Sequence, residues 1–170
     1  MNEPAARDLG ARDRDSAGRA RNARPRDALG RPLPRGAPGD DRIPDDLVLP
    51  PARALELAQD LLDSGRPFHA HEVLEASWKA APAAERDLWQ GLAQIAVGLT
   101  HARRGNARGA VALLRRGGQR VSGYTSAAPH GIDAAAVCLA ASELADRIDS
   151  VGLAAIGPEL ITVRVAPGRA

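Results

Sequence analysis

The stretch Phe68-His-Ala-His-Glu-Val-Leu-Glu-Ala-Ser-Trp78 decides the fold, because it predicts a helix with one apolar side. At about 100° per residue, five side chains fall on that side: Phe68, His71, Leu74, Glu75 and Trp78. Three of the five are large and apolar, so we expect this side to point inward and His69 to be exposed. A buried carboxylate is costly unless another group pairs with it. The stretch therefore predicts a partner for Glu75 elsewhere in the chain.

Composition favours a single helical domain. The chain has 170 residues, its apolar residues are mostly Ala, Leu and Val, and it lacks repeated alternating runs. A formal net charge of +2 does not dictate a polyanionic partner. The single cysteine, Cys138, excludes an internal disulfide and a cysteine-based zinc cluster. With no apolar run of membrane-spanning length and no secretory signal, we expect a cytoplasmic protein without a membrane partner.

Three regions differ in composition. Residues 1–46 interleave ten arginines with nine acidic residues and contain few large apolar side chains, so they predict a disordered or extended arm. An arm that docks on the domain or on a partner is the alternative. Residues 47–150 predict an antiparallel bundle of about five helices, and residues 151–170 a tail whose stretch Glu159–Val165 could be extended.

Proline, glycine and capping residues give the helix boundaries. The first predicted helix runs from Pro50-Pro51 to Gly65, the second from Pro67 to about Ala80, and the third from Pro82 to about Arg104. The fourth runs from Ala107 to about Gln119, and the fifth begins at Asp133. Asn106 and Asp133 are expected to cap the fourth and fifth helices. A loop is expected from Gly117 to Gly131, because this stretch is rich in Gly, Ser and Pro.

The third helix carries two stripes. Its apolar stripe consists of Leu88, Leu92, Ile95, Leu99 and Ala102, and Gly91 with Gly98 would let another helix come close. Its second stripe contains polar residues, which need partners if they are even partly buried. The partners expected on the neighbouring helix are His71 and Glu75, so the sequence predicts a cluster of His71, Glu75, Gln90, Gln94 and His101.

Three interpretations of this cluster remain open. It could be a structural polar network that fixes helix register. It could be a small-ligand site or a divalent-metal site, with His71, Glu75 and His101 holding zinc or iron. It could also be catalytic, with His71 or His101 as general base and Glu75 orienting it, although no nucleophile is evident. The string from His71 to Glu75 only half matches the zinc-protease pattern HExxH, because Glu75 replaces the second histidine.

Arginines dominate the stretch from Leu88 to Ile132, which has no acidic residue. Arg108, Arg115 and Arg116 could share one side of the fourth helix. They predict either a solvated face or a surface for nucleic acid, phosphate or an acidic partner. The third and fourth helices resemble one hairpin of a tetratricopeptide-type repeat, which favours an interaction scaffold as the alternative function.

The motifs together resemble the bacterial domain-of-unknown-function family 309. Its patterns are HExLExxW, QGLxQxA and HxxxGNxxGA, and they are matched here from His71 to Trp78, from Gln90 to Ala96 and from His101 to Ala110. The leader from Arg21 to Pro34 also resembles that of actinobacterial members. The resemblance implies a small all-α bundle, and it carries over no activity.

Overall fold

The described residues of the computed structural model, 24–40, 43–44 and 47–167, form an all-α protein, as predicted. Its helices are α1 (Pro51–Asp63), α2 (Pro67–Ala80), α3 (Arg86–Arg103), α4 (Ala107–Val121) and α5 (Ala134–Val151). Short 3-10 turns precede α3 and follow α4 and α5. Each helix packs mainly against its neighbours in the sequence, and the closest pair is α3 with α4.

The helix ends follow the predicted signals. Pro51 and Pro67 occupy first turns, where the missing N–H costs nothing. The side chain of Asn106 accepts a hydrogen bond from Gly109 N at 2.9 Å, and that of Asp133 accepts one from Ala136 N at 2.9 Å. Both caps therefore satisfy N–H groups that would otherwise have no partner inside the helix.

The predicted loop from Gly117 to Gly131 is wrong at its start, because α4 continues through Gly117 and Gly118 to Val121. Both glycines are buried in this last turn and a half of the helix. The packing of α4 against α3 and α5 therefore overrides the low helix propensity of two adjacent glycines.

Glycines allow the close approach of α3 and α4. A Cβ on Gly91 would lie 2.8 Å from the carbonyl oxygen of Gly117, and a Cβ on Gly117 would lie 2.7 Å from that of Gly91. Gly98 packs in the same way against Leu114. This confirms the prediction that Gly91 and Gly98 admit a neighbouring helix.

The core is built around the predicted apolar stripe of α3. All five residues of the predicted α3 stripe are buried: Leu88, Leu92, Ile95, Leu99 and Ala102. Complete burial of one such leucine or isoleucine contributes about 1.5–3 kcal/mol. Apolar residues on both sides of α3 make it the centre of the helix array.

The segment after α5 covers α1. Ile161, Val163 and Val165 are buried while Thr162 and Arg164 between them are exposed. The backbone N–H of Val165 donates to Gln59 Oε1 on α1 at 2.8 Å. This segment therefore completes the core beside α1.

Residues 24–40, called the arm segment below, fold back on themselves. Gly30 N donates to the Asp27 carbonyl oxygen at 2.7 Å, and Arg26 pairs with Pro32 across the turn in an isolated antiparallel bridge. The prediction of a disordered or extended arm for the remainder of residues 1–46 lies outside the described residues, except for residues 43–44.

Candidate functional site

The buried side of α2 matches the predicted one only in part, because Leu74 is buried whereas the other four predicted residues are half-buried. His69, expected to be exposed, is 1% exposed and lies in the core with Ala70, Val73 and Leu74. The side chains of His71 and Glu75 are 23% and 35% exposed. The reason is that α2 packs between α1 and α3, so Ala70, Val73 and Leu74 face the helix contacts while Phe68, Glu75 and Trp78 remain at the rim.

His71 and Glu75 form a local pair one helical turn apart. His71 Nε2 lies 3.2 Å from Glu75 Oε2, and the other carboxylate oxygen lies 2.9 Å from Lys79 Nζ. Burial lowers the pKa of His71 and outweighs the opposite effect of Glu75. The partner that the sequence predicted for Glu75 on another helix is therefore found on α2 itself.

The polar side chains of α3 have other contacts. His101 Nδ1 lies 2.8 Å from Asn106 Nδ2 in the turn to α4. A Cβ on Gly109 would lie 2.6 Å from His101 Nδ1. Gln94 Oε1 is buried without a hydrogen-bond partner, and Gln90 is half-buried. Neither His101 nor the glutamines forms a hydrogen bond with His71 or Glu75 in the described structure.

The described residues contain no group of three or more His, Cys, Asp and Glu side chains positioned to hold a metal ion. Two side chains of nucleophilic type, Ser77 and Cys138, are engaged in hydrogen bonds with backbone carbonyl oxygens. Ser77 Oγ donates to the Val73 carbonyl oxygen at 3.2 Å, and Cys138 Sγ lies 3.1 Å from the Gly118 carbonyl oxygen. Burial raises the pKa of the Cys138 thiol, which favours the unreactive protonated form.

One arginine of the predicted face on α4, Arg115, forms ion pairs within the protein. Arg115 Nη2 lies 2.9 Å from Asp146 and 2.8 Å from Asp149, both on α5, and the hydrogen bond that Arg115 donates to Asp146 raises the pKa of Arg115. Arg108 and Arg116 are exposed on α4. Of the three residues, Arg115 therefore helps to attach α5 to α4.

The arm segment contacts the first turn of α2 at Phe68. The guanidinium of Arg26 lies 5.5 Å from the centre of the Phe68 ring, and that of Arg104, at the end of α3, lies 6.0 Å from it. Arg104 Nε also donates to the Leu29 carbonyl oxygen at 2.9 Å. A Cβ on Gly30 would lie only 2.2 Å from the ring, so the Gly30 backbone rests directly on Phe68.

The N-terminal residues also contact α2 beyond Phe68. Arg66 Nε pairs with Asp40 Oδ2 at 3.0 Å, and Asp27, Ala28 and Asp40 of the arm segment face His69. Burial and the nearby Arg66 lower the pKa of His69. One turn further, Ile43 and Pro44 line a cavity of about 130 Å³ with Glu72, Glu75, Ala76 and Lys79. We call the residues that contact this N-terminal region the motif surface; they are Arg66, Phe68, His69, Glu72, Glu75, Ala76, Lys79 and Arg104.

Sequence comparison agrees with the motif resemblance. Residues 55–113 match the model of the family described as Domain of unknown function (DUF309). Over these residues the chain is similar to the DUF309 family. The matched residues contain the whole of α2 and α3 and therefore most of the motif surface. No curated protein and no solved structure matches the chain.

The residues that sequence analysis missed around the DUF309 motif are Arg26, Gly30 and Arg104. The sequence pointed to these residues only through the resemblance of the leader to that of family members. That resemblance favoured an arm that docks on the domain or on a partner. Within the part of the chain that the structure describes, no helix combines the length and the apolar character needed to cross a membrane.

Proposed function

We propose that this chain is a protein-interaction module that binds a polypeptide segment across the motif surface, and that its own arm segment occupies this surface in the free protein. The observation that carries the proposal is the contact at Phe68. Arg26 of the arm segment and Arg104 of α3 both lie against the ring, while Arg104 holds the carbonyl oxygen of Leu29.

The chemistry of this contact is that of a reversible interface. It consists of guanidinium–ring contacts, backbone hydrogen bonds and the ion pair of Arg66 with Asp40. A guanidinium on an aromatic ring contributes about 0.5–2 kcal/mol, and a half-exposed ion pair contributes less than about 1 kcal/mol. The arm segment can therefore exchange with a competing segment without unfolding the helices beneath it.

The position of the motif also supports binding over a structural role. The largest motif side chains, Phe68 and Trp78, lie at the rim of the core, and the protein's own N-terminal residues cover the first turns of α2. Half-exposed aromatic side chains next to arginines are typical anchors of protein interfaces.

The other functions predicted from the sequence have less support. A metal or small-ligand site at His71, Glu75 and His101 lacks contacts that join α2 to the end of α3. An anionic partner on Arg108, Arg115 and Arg116 would have to compete with Asp146 and Asp149 for Arg115. The cytoplasmic location remains a prediction from the sequence.

The test is binding in trans to a full-length chain whose own arm is released. Gly30→Val places a β-branched side chain against the Phe68 ring at a φ of +72°, so we expect it to displace the arm segment. A labelled peptide of residues 24–40 should then bind this variant, as measured by fluorescence anisotropy.

The matched control is Gly36→Val. Gly36 has a similar φ of +82°, but a Cβ there would have nothing within 4 Å, so the arm should stay on the ring and exclude the peptide. Phe68→Ala, added to the released chain, should abolish peptide binding. If the released chain bound no peptide, or if Phe68→Ala left binding unchanged, the proposed function would be wrong.

A further inference from the structure

We infer that the motif surface recognises one class of ligand, a polypeptide turn of the sequence Arg-Asp-x-x-Gly. The inference rests on the proposed function and specifies what the surface selects. In this chain the turn is Arg26 to Gly30, and each of its three defined residues has a separate physical role in the contact.

The aspartate holds the turn in shape. Asp27 Oδ1 accepts hydrogen bonds from the backbone N–H groups of Leu29 at 3.0 Å and Arg31 at 2.7 Å. The Asp27 carbonyl oxygen also accepts from Gly30 N at 2.7 Å. A ligand with these bonds already formed loses less conformational entropy when it binds.

The glycine fits the aromatic ring. A Cβ at Gly30 would lie 2.2, 2.3 and 2.6 Å from three carbons of Phe68, and real Cβ atoms do not approach so closely. The φ of Gly30 is +72°, which also disfavours any residue with a side chain. The site therefore disfavours every other residue at this position.

The arginine adds a planar cation to the same ring. The Arg26 guanidinium lies 5.5 Å from the ring centre, and Nη1 donates to the carbonyl oxygen of Gly30. A guanidinium can stack and donate at the same time, whereas a lysine ammonium lacks the plane and the fixed set of donors. The contact therefore favours arginine over lysine.

On the motif surface, Arg104 contacts the backbone of the turn and interacts with its charged side chains. Arg104 donates through Nε and Nη2 to the Leu29 carbonyl oxygen, which belongs to the turn. Burial, Arg31 and Arg26 lower the pKa of Arg104, and Asp27 opposes them. The ligand aspartate therefore also offsets the repulsion between Arg104 and the ligand's own arginine.

The experiment compares variant peptides of residues 24–40 on the full-length Gly30→Val chain. We expect the Gly30→Ala peptide to bind at least about 30-fold more weakly than the unmodified peptide. The reason is that the cost of the clash with the Phe68 ring adds to the cost of a positive φ for alanine. We expect losses of about fivefold for Arg26→Lys and about tenfold for Asp27→Ala.

Two peptides are matched controls. Gly36→Ala has the same backbone strain without a ring contact and should lose no more than about fivefold. Arg24→Lys changes an arginine outside the turn and should bind within about twofold of the unmodified peptide. If the Gly30→Val chain does not fold, Arg26→Glu, which places a carboxylate instead of a cation at the ring, provides the released chain.

The outcomes separate the two proposals. The predicted order, with Gly30→Ala weakest and Arg24→Lys unchanged, supports the inference. Equal binding by the Gly30→Ala, Arg26→Lys and unmodified peptides would overturn it and leave the proposed function standing. Absence of binding by the unmodified peptide would overturn both.

Discussion

Replacing Gly117 with alanine tests how closely α3 and α4 approach each other. A Cβ at this position would lie 2.7 Å from the Gly91 carbonyl oxygen and 2.7 Å from Ile95 Cγ1. The carbonyl oxygen belongs to helical backbone and cannot rotate away, so the two helices must separate. Overpacking of this kind costs about 1–3 kcal/mol.

Alanine also has a higher helix propensity than glycine, by about 1 kcal/mol, and this gain offsets part of the cost. The expected net loss in the free energy of unfolding for Gly117→Ala is therefore up to about 2 kcal/mol. The neighbouring Gly118→Ala is the matched control, because its Cβ would lie 3.7 Å from the nearest atom, Ala141 Cβ. It should stabilise the protein by about 0.5–1 kcal/mol, since only the propensity gain applies.

Urea denaturation followed by circular dichroism measures both variants. With an m value of about 2 kcal/mol/M, the two midpoints should differ by about 1 M, with Gly117→Ala below the wild type and Gly118→Ala above it. Equal stabilisation by both alanines would refute the close approach of α3 and α4. A destabilising Gly118→Ala would refute the helical structure at the end of α4.

Three further predictions concern other parts of the fold. Trp89→Ala should cost about 3–5 kcal/mol in urea denaturation, because Trp89 is 2% exposed, whereas Trp78→Ala at the rim should cost less than half as much. Asn106→Ala should cost about 1 kcal/mol because the cap on Gly109 N is lost, and Asn106→Asp should cost little because aspartate also caps. The hydrogen bond from His130, at 2.7 Å, lowers the pKa of Glu85 below its ordinary value of 4.5. A carboxylate whose pKa is lower in the folded state stabilises the protein above the unfolded pKa, and this contribution is lost as the pH falls through the folded pKa. Below about pH 4.5 the wild type should therefore lose stability more steeply than Glu85→Gln; parallel pH profiles would contradict this role.

Local signals predicted most of the helical structure. Pro51, Asn106 and Asp133 act through their own backbone geometry or through groups three residues away, so their positions can be inferred without knowing the tertiary fold. Periodicity likewise predicted the buried residues of α3, because a central helix is apolar toward several neighbours at once.

The orientation of α2 could not be inferred in the same way. Periodicity identified a side with three large apolar residues, but contact with α1 and α3 on two sides selected the side with Ala70 and Val73 instead. Burial of His69 depends on the arm segment as well as on the helices. The predicted polar cluster assumed that His71 and Glu75 lie inside, whereas both are half-buried and pair with each other on α2 rather than with the polar stripe of α3.

The contact at Phe68 depends on residues far apart in the chain. Arg104 and Leu29 are separated by 75 positions, and neither belongs to a pattern that predicts the other. Gly117 and Gly118 show the same limitation, because their composition is typical of a loop and only their packing in α4 makes them helical.

Contact between the arm segment and the motif surface is the central claim, and NMR spectroscopy of the full-length protein tests it most directly. Phe68 is the only phenylalanine in the chain, so selective labelling makes its ring signals unambiguous. The account predicts nuclear Overhauser effects from the ring to the Gly30 α protons, with those protons shifted upfield by the ring current. Gly30 α protons at random-coil shifts, without an Overhauser effect to Phe68, would contradict it.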